Sequence, residues 1–236
     1  MVKHIYAVWK NPNQAEQVFS EDLVHKLAPQ LISLDGLECL RIAVVDSAVR
    51  PAAAKRLESG QPLPHALISV YTRGPAGDHW DEKTSIDTAV DAYVDRFSCY
   101  QVTEVEAIKN ATIASGERVF GFCQVVFLQR PPRLTEAEWL QRWQGEHTSV
   151  AIDTQATFGY RQNVVVGSYA ADAAEVDAII EENFPPEAMT SERAFYGVTN
   201  DEDLHAKRTA MLESCARFID FDKIDVVPMS EYVFRS

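Results

Sequence analysis

The sequence predicts an α+β fold in which one order of elements, β-α-β-β-α-β, occurs twice in tandem. The chain has 236 residues, which allows one large domain or two small ones because a compact domain runs to about 100–200 residues. Each half begins with a strand rich in aromatic and β-branched residues, followed by a turn with proline and an amphipathic helix. Glycine then precedes a second strand in each half, at Gly36 and Gly159.

The first half contains every element of the unit. Its helix shows Phe19, Leu23 and Leu27 at four-residue spacing, and its second helix carries an apolar stripe formed by Ile86, Val90, Tyr93 and Phe97. The predicted elements are strands at 4–10, 37–46, 65–72 and 102–109, and helices at 13–28 and about 86–97.

The second half repeats this order. Thr135 and Glu138 form a capping box, which predicts the start of its first helix. Its second helix is predicted from a stripe of Leu204, Met211, Cys215 and Phe218. The predicted elements are strands at 119–129, 160–169, 177–184 and 224–234, and helices at 135–151 and about 204–218.

Each half therefore matches the ferredoxin-like unit, with both helices on one face of a four-stranded sheet. The strand at 119–129 is apolar on both faces, so both must be covered. We expect the helix-free faces of the two sheets to pack on each other as an intrachain α/β-barrel with a central cavity. The units are residues 1–116, the more degenerate repeat, and 117–236.

Composition limits the partners. Lys and Arg number 22 against 35 Asp and Glu, a net charge of −13, which argues against nucleic acid and anionic membrane surfaces. The start of the chain lacks the apolar core of a signal peptide, so we expect a cytoplasmic protein with reduced cysteines. No C-x-x-C, P-loop, G-x-G-x-x-G or H-x-x-x-H motif occurs, so we expect neither cofactor nor metal. His79 and Trp80 lie in a polar loop that is either a lid or a surface feature.

Residues 133–166 resemble the EthD family of the dimeric α/β-barrel superfamily. The resemblance rests on an aromatic-rich helix that ends in a histidine and on a following strand with Tyr-x-Gln-Asn. The matching positions are Trp143, His147, Tyr160, Gln162 and Asn163. Glu181 matches the glutamate of the family's Asp-…-Glu-x-x-Phe strand. In the first half Val24 stands opposite His147, which favours one site per chain.

This resemblance implies a cavity between the two sheets that binds a small, largely apolar molecule. The superfamily includes polyketide cyclases, oxygenases that use no metal, decarboxylases and isomerases. We expect seven residues to line this cavity: Trp143, Gln162, Asn163, Phe122, Gln124, Tyr6 and His4.

Three catalytic candidates follow. His147 lies four residues after Trp143 and could act as a general base, or it is a core histidine bonded to a carbonyl. Tyr160 and Gln162 face one side of their strand and Arg161 and Asn163 the other; one pair could hold an oxyanion or join a cross-strand ladder. Of Glu181 and Glu182 one should face inward, unless the strand is misassigned and both are solvated. Glu181 is the candidate that orients His147 or relays the proton.

We therefore expect a cofactor-independent enzyme of the cyclase, dehydratase, isomerase or decarboxylase type. It would act on a small aromatic or polyketide-like carbonyl compound by proton abstraction, as a monomer or homodimer. The alternatives are a non-catalytic binder of hydrophobic metabolites, an accessory protein, and a cofactor-free oxygenase.

Overall fold

The strands of this computed structural model form one closed antiparallel barrel. The model describes residues 1–60, 62–73, 83–110, 114–169 and 175–235; the predicted loop with His79 and Trp80 and part of the seam near 111–116 lie outside these ranges. The described strands are β1 Val2–Trp9, β2 Leu37–Val44, β3 Ala66–Thr72, β4 Arg96–Ile108, β5 Glu117–Arg118, β6 Phe122–Leu128, β7 Gly159–Ser168, β8 Ala178–Phe184 and β9 Ile224–Arg235.

The two halves share one strand order. The first half runs β2-β3-β1-β4 and the second β7-β8-β6-β9, with the short β5 added beside the end of β9. Strand β4 pairs with β7, and β9 pairs with β2, so hydrogen bonds join the halves at both edges. The α+β class and the intrachain barrel are thus confirmed. Two sheets that merely pack face to face are replaced by one closed sheet, because β4 and β9 are long enough, at 13 and 12 residues, to reach across both seams.

Helices cover the outside of the barrel. Thr135 and Glu138 form the predicted capping box at the start of the second long helix. Both long helices contain a π-helical turn, at Leu23–Leu27 and Gln141–His147. The helices are α1 (16–32), α2 Lys83–Asp91, α3 (136–154), α4 Glu192–Phe195 and α5 Asp201–Ala216.

The largest difference from the predicted boundaries lies at the junction of α2 and β4. The stripe through Phe97 predicted a helix to that residue, but α2 ends at Asp91 and β4 begins at Arg96. Phe97 packs against the same apolar cluster from the strand, its ring 5.4 Å from that of Tyr6. Phe97 lies four residues after Tyr93, which is the spacing of one helical turn, although it belongs to a strand. The predicted helix was therefore too long.

Buried apolar and ionised side chains occupy the barrel interior, where the sequence predicted a central cavity. An eight-stranded barrel has an interior that side chains alone can fill. One end is apolar, with Ile5, Leu67, Val125 and Val227 buried together. The other end holds ionised side chains. The cation and carboxylate residues of this interior ion network are Lys3, Arg41, Arg161, Glu104, Glu181 and Glu231.

The interior ion network links the two halves. Lys3 Nζ of β1 lies 2.7 Å from Glu181 Oε2 of β8. Arg161 Nη2 lies 2.5 Å from Glu231 Oε1 and 3.3 Å from Glu181 Oε1. The Arg41 and Glu231 side chains connect β2 to β9 at 3.0 Å. Three cations thus balance three carboxylates, and the pairing offsets the desolvation cost of burying them.

Among the described residues, no helix combines the length and the apolar character that crossing a bilayer requires.

The interior ion network predicts a large loss of stability when one partner is removed. Arg161→Met leaves Glu181 and Glu231 buried without their shared cation, which should lower the free energy of unfolding by about 3–5 kcal/mol in urea denaturation. Arg193→Met is the control, because it breaks an exposed pair with Asp201. The control should lose less than about 1 kcal/mol. Equal losses in the two variants would contradict the role given to the network.

Candidate functional site

A cluster of polar side chains lies between the barrel and the helices of the second half. Tyr160 and Gln162 of β7 and Glu182 of β8 point outward from the barrel, and helices α3 and α5 cover them with His147 and Ser214. We call these five residues the sheet–helix site. Each is at most 6% exposed. The cluster is therefore enclosed, and a titratable group there lacks the hydration that keeps its pKa ordinary.

Helix α3 brings His147 to this site. Trp139, Trp143 and His147 follow each other at four-residue spacing and all three are buried, as the sequence predicts. The indole rings lie 5.1 Å apart, and the imidazole lies 4.7 Å from the Phe218 ring. The π-helical turn that contains Trp143 and His147 is not by itself a mark of function, because α1 has such a turn too.

His147 is neutral at pH 7. Burial, with a smaller contribution from the charge of Arg217, lowers its pKa to about 4. Its Nδ1 lies 2.9 Å from Ser214 Oγ, and Nε2 has no hydrogen-bond partner among the described residues. The predicted neutral form is therefore present, but a base with this pKa is weak. The imidazole is better suited to hydrogen bonding than to removing a proton from carbon.

Tyr160 is held as a hydrogen-bond donor. Burial raises the pKa of its hydroxyl, so it is protonated at neutral pH. Gln162 Nε2 donates to Tyr160 Oη at 2.9 Å and to Thr148 Oγ1 at 2.9 Å. Because Tyr160 Oη accepts this bond, its own hydrogen remains to be donated to another group.

Glu182 is the unusual carboxyl of the site. It is 6% exposed and makes no hydrogen bond or ion pair with the described residues. Burial alone raises its pKa from 4.5 to about 7. In the sheet it lies in register with Tyr160 on one side and Gln124 on the other. Its charge raises the pKa of both Tyr160 and Cys215, so these groups surround it.

Glu181 does not lie where the sequence analysis expected. It points into the barrel, where Lys3 and Arg161 bind it and hold its pKa below the usual range. His147 lies on the opposite side of the sheet, so Glu181 cannot orient it. This prediction is wrong because neighbouring residues of a strand face opposite sides, and Glu182 takes the position next to Tyr160.

The predicted lining residues separate into three groups. Trp143, Gln162 and Gln124 lie on the helix-facing side with Glu182, and Phe122 stacks on Phe184 farther along the same side, at 5.7 Å. Asn163 faces the barrel interior and bonds Lys3 at 2.8 Å. His4 and Tyr6 face the helices of the first half, where the Tyr6 hydroxyl donates to Asp87 at 2.8 Å. These three do not line the sheet–helix site.

In the sequence, Glu181 was chosen over Glu182, and Ser214 was not singled out. Glu182 was visible as one of two adjacent glutamates, and the match of Glu181 to a family pattern directed attention to the wrong one. Ser214 gave a weaker signal, since it follows Met211 by three residues on the buried side of α5. The sequence alone did not show which side chains of β7 face the helices.

Open clefts lie elsewhere in the structure. One of about 600 Å³ lies where β7 ends, with Tyr100, Arg130 and Val165 among its walls, and one of about 380 Å³ is lined by Lys3, Tyr71 and Glu104. Neither contains His147 or Glu182. We place the candidate site by chemistry, because groups with strongly shifted pKa values cluster at functional sites.

The described residues do not bring three or more His, Cys, Asp or Glu side chains together as a group that could hold a metal ion. The donors of the sheet–helix site are single groups of different kinds, and they suit proton transfer and hydrogen bonding.

The raised pKa of Glu182 predicts a pH-dependent stability. The folded protein holds this proton more tightly than the unfolded chain, so the contribution is full below pH 4.5 and is lost as pH rises through about 7. The loss should approach roughly 3 kcal/mol. Buried histidines titrate in the same range, so the measurement is the difference in unfolding free energy between wild type and Glu182→Gln from pH 4.5 to 8.

That difference should change with pH for Glu182→Gln and stay constant for Glu187→Gln, a variant of an exposed glutamate in the same segment. A Glu182→Gln variant that follows the wild-type pH dependence would show that the carboxyl titrates normally.

Comparison with known proteins gives the fold. No family model and no curated protein matches the chain, so the resemblance to the EthD family stays a prediction. Among solved structures, an anthrone oxidase-like protein is 10% identical, with 98% of this chain and 90% of that chain covered and a TM-score of 0.57. A "putative monooxygenase" from Lactobacillus acidophilus is also 10% identical, with 99% and 95% covered and a TM-score of 0.51. At this identity the likeness establishes a shared barrel architecture.

Proposed function

We propose that this chain is a small-molecule enzyme that removes a proton from a carbon next to a carbonyl group, without a cofactor. The substrate would be a small aromatic or polyketide-like carbonyl compound, and isomerisation, cyclisation, water loss or decarboxylation would follow. The observation that carries the proposal is Glu182, a buried carboxyl without a hydrogen bond or ion pair among the described residues.

Glu182 is the base in this proposal. A general base works best when its pKa lies near the working pH, and burial brings this carboxyl to about 7. Both the carboxylate and the protonated form are then accessible at neutral pH. This assignment replaces His147 as the base, since His147 has a pKa of about 4.

Tyr160 would stabilise the oxygen of the substrate. When a proton leaves carbon, the electron pair moves to the carbonyl oxygen and makes it an enolate. The free hydrogen of Tyr160, fixed by the bond from Gln162, can be donated to that oxygen. Such a donor acts most strongly in an enclosed site that excludes water.

Aromatic surroundings favour a flat substrate. Trp143 and Phe218 lie nearly parallel, with 12° between their planes. Both rings are buried, so a planar conjugated molecule would pack against them only after the covering helix has moved. The names of the two fold neighbours, which refer to anthrone oxidation and monooxygenation, are consistent with a substrate of this kind.

Entry to the site requires a helix to move. Helix α5 has 16 residues, and only Ser214 and Cys215 at its end are fully buried among its described residues. An element with few buried contacts separates from the core at low free-energy cost. We therefore assign the opening motion to α5.

The test is deuterium exchange from D2O into aromatic ketones with an acidic C–H bond, with anthrone and 2-tetralone as probes. Wild type should accelerate exchange, with the rate rising with pH around an apparent pKa of about 7. Glu182→Gln should lower the rate by at least about 100-fold, the usual contribution of a positioned base. Glu187→Gln is the matched control and should exchange at the wild-type rate.

Exchange that is unchanged in Glu182→Gln would exclude this carboxyl as the base. Saturable binding of the probes without any exchange by wild type would favour the alternative of a non-catalytic binder.

A cofactor-free oxygenase is the second candidate, and the fold neighbours favour it. The substrate carbanion would form a carbon–oxygen bond with O2 to give a hydroperoxide after protonation, and loss of water would leave a ketone. An oxygen electrode should then record one O2 consumed per product, and Glu182→Gln should lose this uptake together with exchange. Exchange without O2 uptake would restrict the function to the lyase or isomerase type.

A further inference from the structure

We propose that Ser214 and Arg217 fix the tautomer of His147 with its proton on Nε2, so that the sheet–helix site offers an N–H donor to an anionic ligand oxygen. The ligand class is then phenols and enols that bind as their oxyanions. This inference rests on the proposed function for the identity of the site, but the tautomer itself can be measured without any turnover.

Ser214 connects His147 to Arg217. Its Oγ lies 2.9 Å from His147 Nδ1 and 3.4 Å from Arg217 Nη2. An arginine has no acceptor, so Arg217 donates to the serine oxygen. The single hydroxyl hydrogen of Ser214 therefore remains for another acceptor.

His147 is the acceptor for that hydrogen. Several other helical hydroxyls donate to a backbone carbonyl of their own helix, as Thr88 does to Thr84 at 2.7 Å. Ser214 makes no such bond, and His147 Nδ1 is its only acceptor among the described residues. If Nδ1 carried a proton instead, Ser214 Oγ would accept from both Nδ1 and Arg217. The buried hydroxyl hydrogen of Ser214 would then have no acceptor among the described residues, which is costly.

Neutral imidazole carries one proton, so acceptance at Nδ1 places that proton on Nε2. The lowered pKa of His147 agrees with the neutral form. Arg217 is held by an ion pair from its Nη1 to Glu146, at 2.6 Å. Glu146 directly precedes His147 in α3. The Arg217–Glu146 ion pair therefore holds Arg217 next to the helix segment that carries His147.

The two donors define the ligand. Nε2–H of His147 and O–H of Tyr160 each lack an acceptor among the described residues on the helix-facing side of the barrel. Glu182 takes the proton from the ligand and becomes neutral, while the ligand oxygen takes the negative charge. The total charge of the site does not change. The negative charge moves from the Glu182 carboxylate to a phenolate or enolate oxygen, which accepts hydrogen bonds from His147 and Tyr160.

The first test is 15N NMR of the full chain labelled at histidine nitrogen, with the His147 signals assigned by their loss in His147→Gln. We expect an unprotonated Nδ1 and a protonated Nε2 from pH 6 to 8. Ser214→Ala should mix the two tautomers, and Ser214→Thr should restore the wild-type signals. A protonated Nδ1 in wild type would overturn the proposal.

The second test is binding of 4-nitrophenol, whose phenolate is read by its absorbance. Wild type should bind the phenolate, and Ser214→Ala should weaken binding at least about fivefold, as expected for a lost hydrogen bond to a charged group. Ser214→Thr should bind like wild type. Arg217→Met, which leaves Ser214 in place, should lie between them and serves where Ser214→Ala folds poorly. Equal affinity in all variants would overturn the assigned ligand class.

The two proposals fail separately. An Nε2–H tautomer with phenolate binding but no carbon-acid exchange would leave this inference standing and remove the proposed reaction. Exchange that depends on Glu182, together with an Nδ1–H tautomer, would support the proposed reaction and overturn this inference.

Discussion

Closure of the barrel determines where chemistry can take place in this molecule. When β9 pairs with β2 and β4 with β7, each strand has one face in a filled interior and one face toward the helices. The interior is occupied by apolar side chains at one end and by the interior ion network at the other. Glu182 and the hydroxyl hydrogen of Tyr160, which have no partner among the described residues, lie on the helix-facing side, and this places the sheet–helix site there.

Two adjacent glutamates show how strongly this division acts. Glu181 and Glu182 are both buried, yet two cations hold the pKa of Glu181 below its usual range, while burial alone raises that of Glu182 to about 7. The first is a structural anion that is ionised at every physiological pH. The second changes its charge near neutral pH. The difference comes from one step along a strand, because successive side chains face opposite sides.

Much of the fold could be predicted because it depends on local patterns. The capping box at Thr135 and the strand that ends at Phe184 each depend on residues close together in the sequence, and both are present. Barrel closure depends on the reach of β4 and β9, which no local pattern encodes. The face of β7 that meets α3 also depends on closure, so Tyr160 and Gln162 could be singled out while their side remained open. The choice of Glu181 failed for the same reason.

Only one of the three titratable groups described for the sheet–helix site changes its charge near neutral pH. His147 and Tyr160 are neutral at pH 7, because burial lowers the pKa of the imidazole and raises that of the phenol. One group, Glu182, titrates near neutrality among them. Moving a proton from a ligand to Glu182 then transfers one negative charge over a short distance without creating a new one. In an enclosed site this costs far less than separating two charges, and the burial that keeps His147 from being a base is what makes Glu182 one.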